Sequence, residues 1–311
     1  MNSLLLKILT TETESGNQEA MRELILAELA ALGCNIETDT AGNIYATKGT
    51  GKTLPCFAAH MDTVHGVTGD GIAVCTLNGL ATGINPKTMQ QTGIGGDDKC
   101  GIYCALECLR RLPACKVVFF TDEEIGCIGA SQCDLGFFSD CRWVISADRR
   151  GREDFVTDIG GALSSEKFQR DVAPLLKKHG LKPCQGALAD VMELRDRQVG
   201  VSVANMSAAY YNPHTPGEYI NLNELEEIIS FLIETGEKLT KRYPFTYTRP
   251  ASKPWPGSLS PWPNDPWDSR EGMFPDYSPG RGDWPTQEQL DEEEKLWQAL
   301  SQDDSLGGWS Q

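Results

Sequence analysis

Along residues 1–243 the apolar positions switch repeatedly between two periods. In residues 18–33, QEAMRELILAELAALG, they recur at helical spacing and stop near Gly33. NIETDTAGNIYATKG then predicts a hairpin turning at Ala41–Gly42–Asn43. LPCFAAH, KVVFFTDEE and RWVISAD open with the short continuous apolar runs of buried strands. Helical patterns separate these runs at about 98–111, 127–133 and 164–179, and a last helix is predicted over 222–242. The opening MNSLLLKILTTETESG has the pattern of an amphipathic helix. Alternation of this kind predicts an α/β fold, three-layered αβα, with a mostly parallel but mixed central sheet.

After Tyr243 the pattern stops. Residues 244–311 hold ten of the 17 prolines and six of the seven tryptophans, with 12 acidic against 5 basic residues. Proline at that density blocks regular ladders, and little aliphatic content is left for a core. Two segments are therefore expected: a folded domain over 1–243 and a mostly disordered acidic tail over 244–311, with one short helical pattern at 286–301. The tryptophans of KPWPGSLSPWPNDPWD suit docking on a protein partner or packing back on the domain.

Charge narrows the partners. A formal net charge of −16 argues against nucleic acid or an anionic membrane as the main partner. No run of 18 apolar residues is present to form a membrane span. The apolar stretch at the start is too short for a signal peptide, and no small-residue cleavage site follows it. Eleven cysteines, an odd number with no C-x-x-C pair, point to reduced thiols in a cytoplasmic setting rather than to a disulfide framework or a cysteine zinc site. Cys100, Cys104 and Cys108 share one helix face and read as core.

The chemistry gathers where strands end. LPCFAA runs into His60-Met61-Asp62, KVVFF into Thr121-Asp122-Glu123-Glu124, and RWVISA into Asp148. Ligands of open α/β sheets bind beyond the carboxyl ends of the strands. Several carboxylates brought to that edge repel one another and are costly to bury unpaired. One or two divalent cations resolve the conflict. GIGGDDKCG adds Asp97 and Asp98 at a helix start, and YYNPHTPGEYINL adds His214. Two imidazoles among carboxylates suit zinc, cobalt or manganese.

In this order AHMDTV, GGDDKCG, TDEEIG, SAD and NPHTPGEY resemble the co-catalytic di-zinc exopeptidases, among them tripeptide aminopeptidases, glutamate carboxypeptidases and acylamino-acid deacetylases and desuccinylases. LGCNIETDTAGNIYATK is similar to the start of that family, and the resemblance spans about residues 1–243. It implies that His60 and Asp148 bind one metal and Glu124 and His214 the other, with Asp97 bridging. It further implies that Asp62 orients the His60 ring, Glu123 is the general base, and Asp98 is left to cap the helix. The activity implied is hydrolysis of small peptides by an aminopeptidase-like exopeptidase. The alternatives are an amidohydrolase acting on acyl-amino acids and a non-catalytic binding protein of the same fold.

Many members of the family insert a lid domain before the last histidine. Here Asp148 and His214 are 66 positions apart, which leaves no room for one, so a single-domain form without a lid is expected. His65 is a candidate substrate contact. Arg149 and Arg150 read as surface charge, with a carboxylate clamp as the alternative. His179 reads as structural at a helix end. Asp70 and Asp158 read as loop residues.

Overall fold

The computed structural model describes residues 1–64 and 71–248. His65, Asp70, the 286–301 helical pattern and the tail from 249 onward lie outside the described residues. The elements run α1 (Ser3–Thr10), α2 (Glu19–Ala31), β1 (Asn35–Thr38), β2 (Ile44–Lys48), β3 (Leu54–His60), β4 (Ala73–Leu77), β5 (Leu80–Ile84), β6 (Gln91–Thr92) and α3 (Gly96–Arg111). They continue with β7 (Cys115–Phe120), α4 (Ile128–Gln132), β8 (Cys141–Ser146), β9 (Asp154–Asp158), α5 (Glu166–His179), β10 (Lys182–Gln185) and α6 (Asp190–Asp196). Last come β11 (Val203–Met206), β12 (Tyr210–Tyr211), β13 (Tyr219–Asn221) and α7 (Leu222–Lys238).

The main sheet has eight strands in the order β1-β2-β7-β3-β8-β11-β9-β10. β3 lies between β7 and β8 and is parallel to both, and β11 is parallel to β8. The β1–β2, β2–β7 and β9–β11 pairs are antiparallel, which makes the sheet mixed. Every residue of β3 and β7 is buried, as their continuous apolar runs require. Their side chains alternate between two cores. Phe57, Val117, Phe119, Trp143 and Ile145 join the core under α2, α3, α5 and α7. Cys56, Ala58, Val118, Phe120 and Val144 join the core with α4 and α6. That alternation is the period-2 signature of a sheet covered on both faces, and the architecture is the expected αβα sandwich.

Cys100, Cys104 and Cys108 are buried core residues of α3. The interval from 149 to 213 supplies β9, α5, β10, α6, β11 and β12, and three of these strands complete the main sheet. No inserted lid domain occurs there. A second sheet was not foreseen: β12-β13-β5-β4 with β6 beside β5, all antiparallel. Its strands carry few buried residues, so they lack the apolar runs that betrayed the central strands. Asp158 closes β9 instead of lying in a loop. α7 stops at Lys238, four residues short of the expected end, and the chain then runs extended against the sheet. Ser202 N–H donates to Tyr243 O, Pro244 bridges Val201, and the Arg195 guanidinium lies over the Tyr247 ring.

Candidate metal centre

Because β7, β3 and β8 are adjacent and parallel, their carboxyl ends deliver side chains to one edge. His60 ends β3, opposite Phe120 at the end of β7. Its Nδ1 lies 2.9 Å from Asp62 O and 3.3 Å from Asp62 Oδ1. Its Nε2 lies 3.3 Å from Asp97 Oδ1, 3.5 Å from Asp148 Oδ1 and 4.0 Å from Glu123 Oε2. The second sheet brings in His214 on the loop between β12 and β13. His214 Nε2 lies 2.9 Å from Glu124 Oε1 and 3.3 Å from Asp97 Oδ2. Asp97 thus stands between two imidazoles and offers one oxygen to each. The His60 side chain is 1% exposed and that of His214 46%, so the centre is reached from the His214 side.

Asp97 and Asp98 divide their work. Asp98 Oδ1 accepts from Gly101 N–H at 3.0 Å and caps α3, while its Oδ2 accepts from His60 N–H at 3.2 Å. Among the described residues, backbone amides thus engage both oxygens of Asp98 and neither oxygen of Asp97. Asp62 has more partners than an orienting role for His60 requires. Its carboxylate accepts from Glu123 N–H at 2.9 Å, Glu124 N–H at 3.2 Å and Ser15 Oγ at 2.8 Å. The turn it holds is strained, with Asp122 and Cys127 at positive φ, as is His214 across the centre.

Electrostatics follow from crowding. Burial raises Glu123 to about 7; His60 opposes the shift, and Glu124 and Asp97 reinforce it. Burial likewise pushes Asp148 well above the carboxylate range, against the His60 bond. Burial would raise Asp97 too, but its bonds to His214 and His60 hold it well below that range. Burial disfavours the charged His60 ring, yet Asp148, Asp62 and Asp97 together lift it well above an ordinary imidazole. His214 rises to about 10 through Asp97 and Glu124.

Two imidazoles cannot neutralise so many carboxylates. Among the described residues, His60–Asp98–Asp148, His60–Glu123–Glu124 and Asp97–Glu124–His214 each bring three candidate ligand atoms within 4.8 Å of one another. The donor set of imidazole nitrogen and carboxylate oxygen fits divalent zinc, cobalt or manganese.

Several residues of the site escaped sequence reading. Glu218, inside NPHTPGEY, accepts from the amides of Ile94, Gly95 and Asp97 at 3.1, 2.7 and 3.2 Å, and so ties the His214 loop to the Asp97 segment. Asn205 clamps the Asp148 backbone from both sides. Asp190 is buried and held well above the carboxylate range by burial and Glu123. For Asn205 and Asp190 a polar residue inside an apolar run was the available signal. Arg149 pairs through Nε with Asp154 at 2.7 Å in a partly exposed ion pair. His179 pairs with Glu234 at the end of α5, a structural arrangement.

Fold and site together define a class: α/β proteins of peptidase fold with histidines and carboxylates gathered at the carboxyl edge of a mixed sheet. The chain has the fold of aminopeptidase PepT from Bacillus cereus, at TM-score 0.62 and 15% identity over 76% of this chain and 97% of that one. A tripeptidase from Staphylococcus aureus is similar at TM-score 0.61 and 14% identity, over 76% and 96%. The TET1 peptidase of Pyrococcus horikoshii, which assembles into a tetrahedron or an octahedral shell, is similar at TM-score 0.54 and 18% identity, over 75% and 98%. No protein-family model and no curated protein matches the sequence.

Proposed function

We propose that the chain is a metal-dependent exopeptidase that hydrolyses small peptides. The observation that carries this reading is Asp97, whose two oxygens face His60 and His214 at 3.3 Å each. His60 and Asp148 would hold one divalent ion, Glu124 and His214 a second, and Asp97 both, with zinc foremost and cobalt or manganese as alternatives. Divalent ions held there would supply Lewis-acid polarisation of a scissile carbonyl and would lower the pKa of a bound water toward ~7. Glu123 would take a proton from the attacking water and return it to the departing amine, so that the hydroxyl stays on the carbonyl carbon and the N–H is restored. Burial raises the proton affinity of the Glu123 carboxyl, which favours its service as a proton carrier. Asp62 fixes the His60 ring and the Glu123 and Glu124 amides, so one carboxylate sets both halves.

The fold shared with enzymes named aminopeptidase and tripeptidase supports a peptide substrate. All eleven cysteines are free thiols, in keeping with a cytoplasmic setting. Every residue of the proposed centre lies within 1–243, and the 244–311 tail is left for partner binding or packing.

The test is metal content by mass spectrometry on protein purified without chelator, followed by a panel of peptides with free and acylated amino termini. The expected result is about two ions per chain, fewer in Asp97→Ala, and cleavage that requires a free α-amino group. Preference for acylated substrates would turn the reading to an amidohydrolase. A chain that takes up no zinc, cobalt or manganese would refute it.

A further inference from the structure

An edge strand presents unpaired backbone groups, and folded chains guard such edges with charge, proline or shortness. Among the described residues the outer strands of both sheets follow this rule, with one exception. In the main sheet β1 carries Glu37, and β10 carries Lys182 and Pro183. In the second sheet β12 and β6 are two residues long. The exception is β4, whose sequence Ala73-Val74-Cys75-Thr76-Leu77 has neither charge nor proline and leaves four of its five residues exposed. Residues 71–86 around it contain no Asp, Glu, Lys or Arg, in a chain of net charge −16.

The register of β4 fixes what its free side offers. β4 and β5 form a hairpin closed by Asn78 and Gly79, both at positive φ, as a two-residue turn requires. Leu77 faces Leu80 across that turn, so Ala73, Cys75 and Leu77 exchange backbone bonds with β5. The amides and carbonyls of Val74 and Thr76 therefore point away from β5, and they meet no partner among the described residues. Val74 packs toward the core. Ala73, Cys75 and Leu77 share the opposite, outer face, where Leu77 is 74% exposed.

We propose that β4 pairs antiparallel with β4 of a second copy of the chain, about a two-fold axis at Cys75. In that register Val74 faces the partner's Thr76 and Thr76 faces the partner's Val74, so the outward donors and acceptors of the two strands satisfy one another. Charge favours a copy as the occupant. Two chains at −16 repel over most of their surfaces and can approach where the surface is uncharged, whereas a charged peptide would find no counter-charge there. On the outer face Leu77 would cover the partner's Ala73. β4 is the edge opposite β12, so the His214 loops lie at the far ends of the joined sheet and both centres stay open. Two five-residue strands are a small contact beside the roughly 1,200–2,000 Å² of a stable interface, so the dimer should dissociate on dilution.

The experiment is sedimentation velocity of the full chain over a dilution series, with parallel diamide oxidation and peptide mapping. Cys75 is the one exposed cysteine of the eleven, and the pair at the axis brings it close enough to its copy for a disulfide. The expected result is a mass that doubles with concentration and a Cys75–Cys75 cross-link. Thr76→Pro removes an outward amide and leaves the β4–β5 ladder untouched, and Cys75→Glu sets like charges opposite each other. Each should weaken dimerisation at least tenfold while circular dichroism shows the fold kept. Should Thr76→Pro not fold, Cys75→Glu carries the same expectation. Cys75→Ser should lose the cross-link and keep the dimer. A chain that stays monomeric up to about 1 mM would overturn the proposal. So would a dimer that survives in folded Thr76→Pro and Cys75→Glu, or one cross-linked through other cysteines. The dimer is read without metal or substrate, so it stands or falls apart from the exopeptidase reading.

Discussion

Glu123 and Glu218 are two buried carboxyls that burial raises to about 7, and their partners set them apart. Glu218 accepts three backbone amides, so its oxygens are committed to holding shape. Among the described residues the Glu123 carboxyl meets the Cys127 thiol at 3.5 Å and His60 at 4.0 Å and accepts from no backbone amide, which leaves it able to exchange a proton. Glu123→Gln should keep the metal content and lose activity by about 10²–10⁴-fold, read from steady-state kinetics beside metal analysis. Retained activity with intact metals would remove Glu123 from its role. Glu218→Gln turns an amide NH₂ toward backbone donors and should cost about 1–3 kcal/mol, read by denaturant unfolding. Metal affinity at the His214 half should fall with it, because the His214 loop loses its anchor.

At the scale of elements, the centre depends on how closely α3 approaches the end of β8. A Cβ on Gly101 would lie 2.3 Å from both Asp98 carboxylate oxygens and 2.5 Å from Ala147 O. Only glycine lets α3 seat against the segment that carries Asp148. Gly101→Ala should destabilise the chain by about 1–3 kcal/mol through overpacking and should weaken metal binding by moving Asp97 away from Asp148. An unchanged unfolding midpoint with normal metal affinity would show that α3 can shift without harm. The second sheet matters at this scale as well, since β12 and β13 carry the loop that brings His214 to Glu124.

Across the whole molecule, the charge of the centre governs stability when metal is removed. His214 is raised from 6.5 to about 10 in the folded chain, so the stability it contributes is fully present below pH 6.5 and is lost as pH rises through about 10. Glu123 is raised from 4.5 to about 7, so the fold binds its proton more tightly and loses stability as pH rises between those values. Asp62 is shifted the other way. Burial raises it, but the His60 bond outweighs burial and lowers it, so its contribution is present above the ordinary carboxylate range and lost on strong acidification. The metal-free chain should therefore show a thermal midpoint that declines from about pH 5 toward pH 10. Bound divalent ions should flatten that decline, because they take the place of the protons. A metal-free midpoint that rises over that interval would contradict the assigned shifts.

The central strands were legible because a strand buried on both faces must be largely apolar, and β3, β7 and β8 each carry an apolar run of at least three residues. The polar residues that end them were legible for the same reason: His60, Glu123, Glu124 and Asp148 break runs that would otherwise continue. The αβα sandwich follows from that alternation. The second sheet was not legible, because its strands are short and largely exposed and leave no periodic trace. Nor could spacing along the chain show that Asp97 would place one oxygen toward each histidine, that Asp62 would also hold the Glu123 turn, or that Glu218 would lock the His214 loop. Those contacts join segments roughly 40 to 120 residues apart. Residue types and their local periods determined which elements form and which side chains could act. The packing of α3 and the second sheet against the strand ends decided which of those side chains meet, because burial and distance are set by the whole fold.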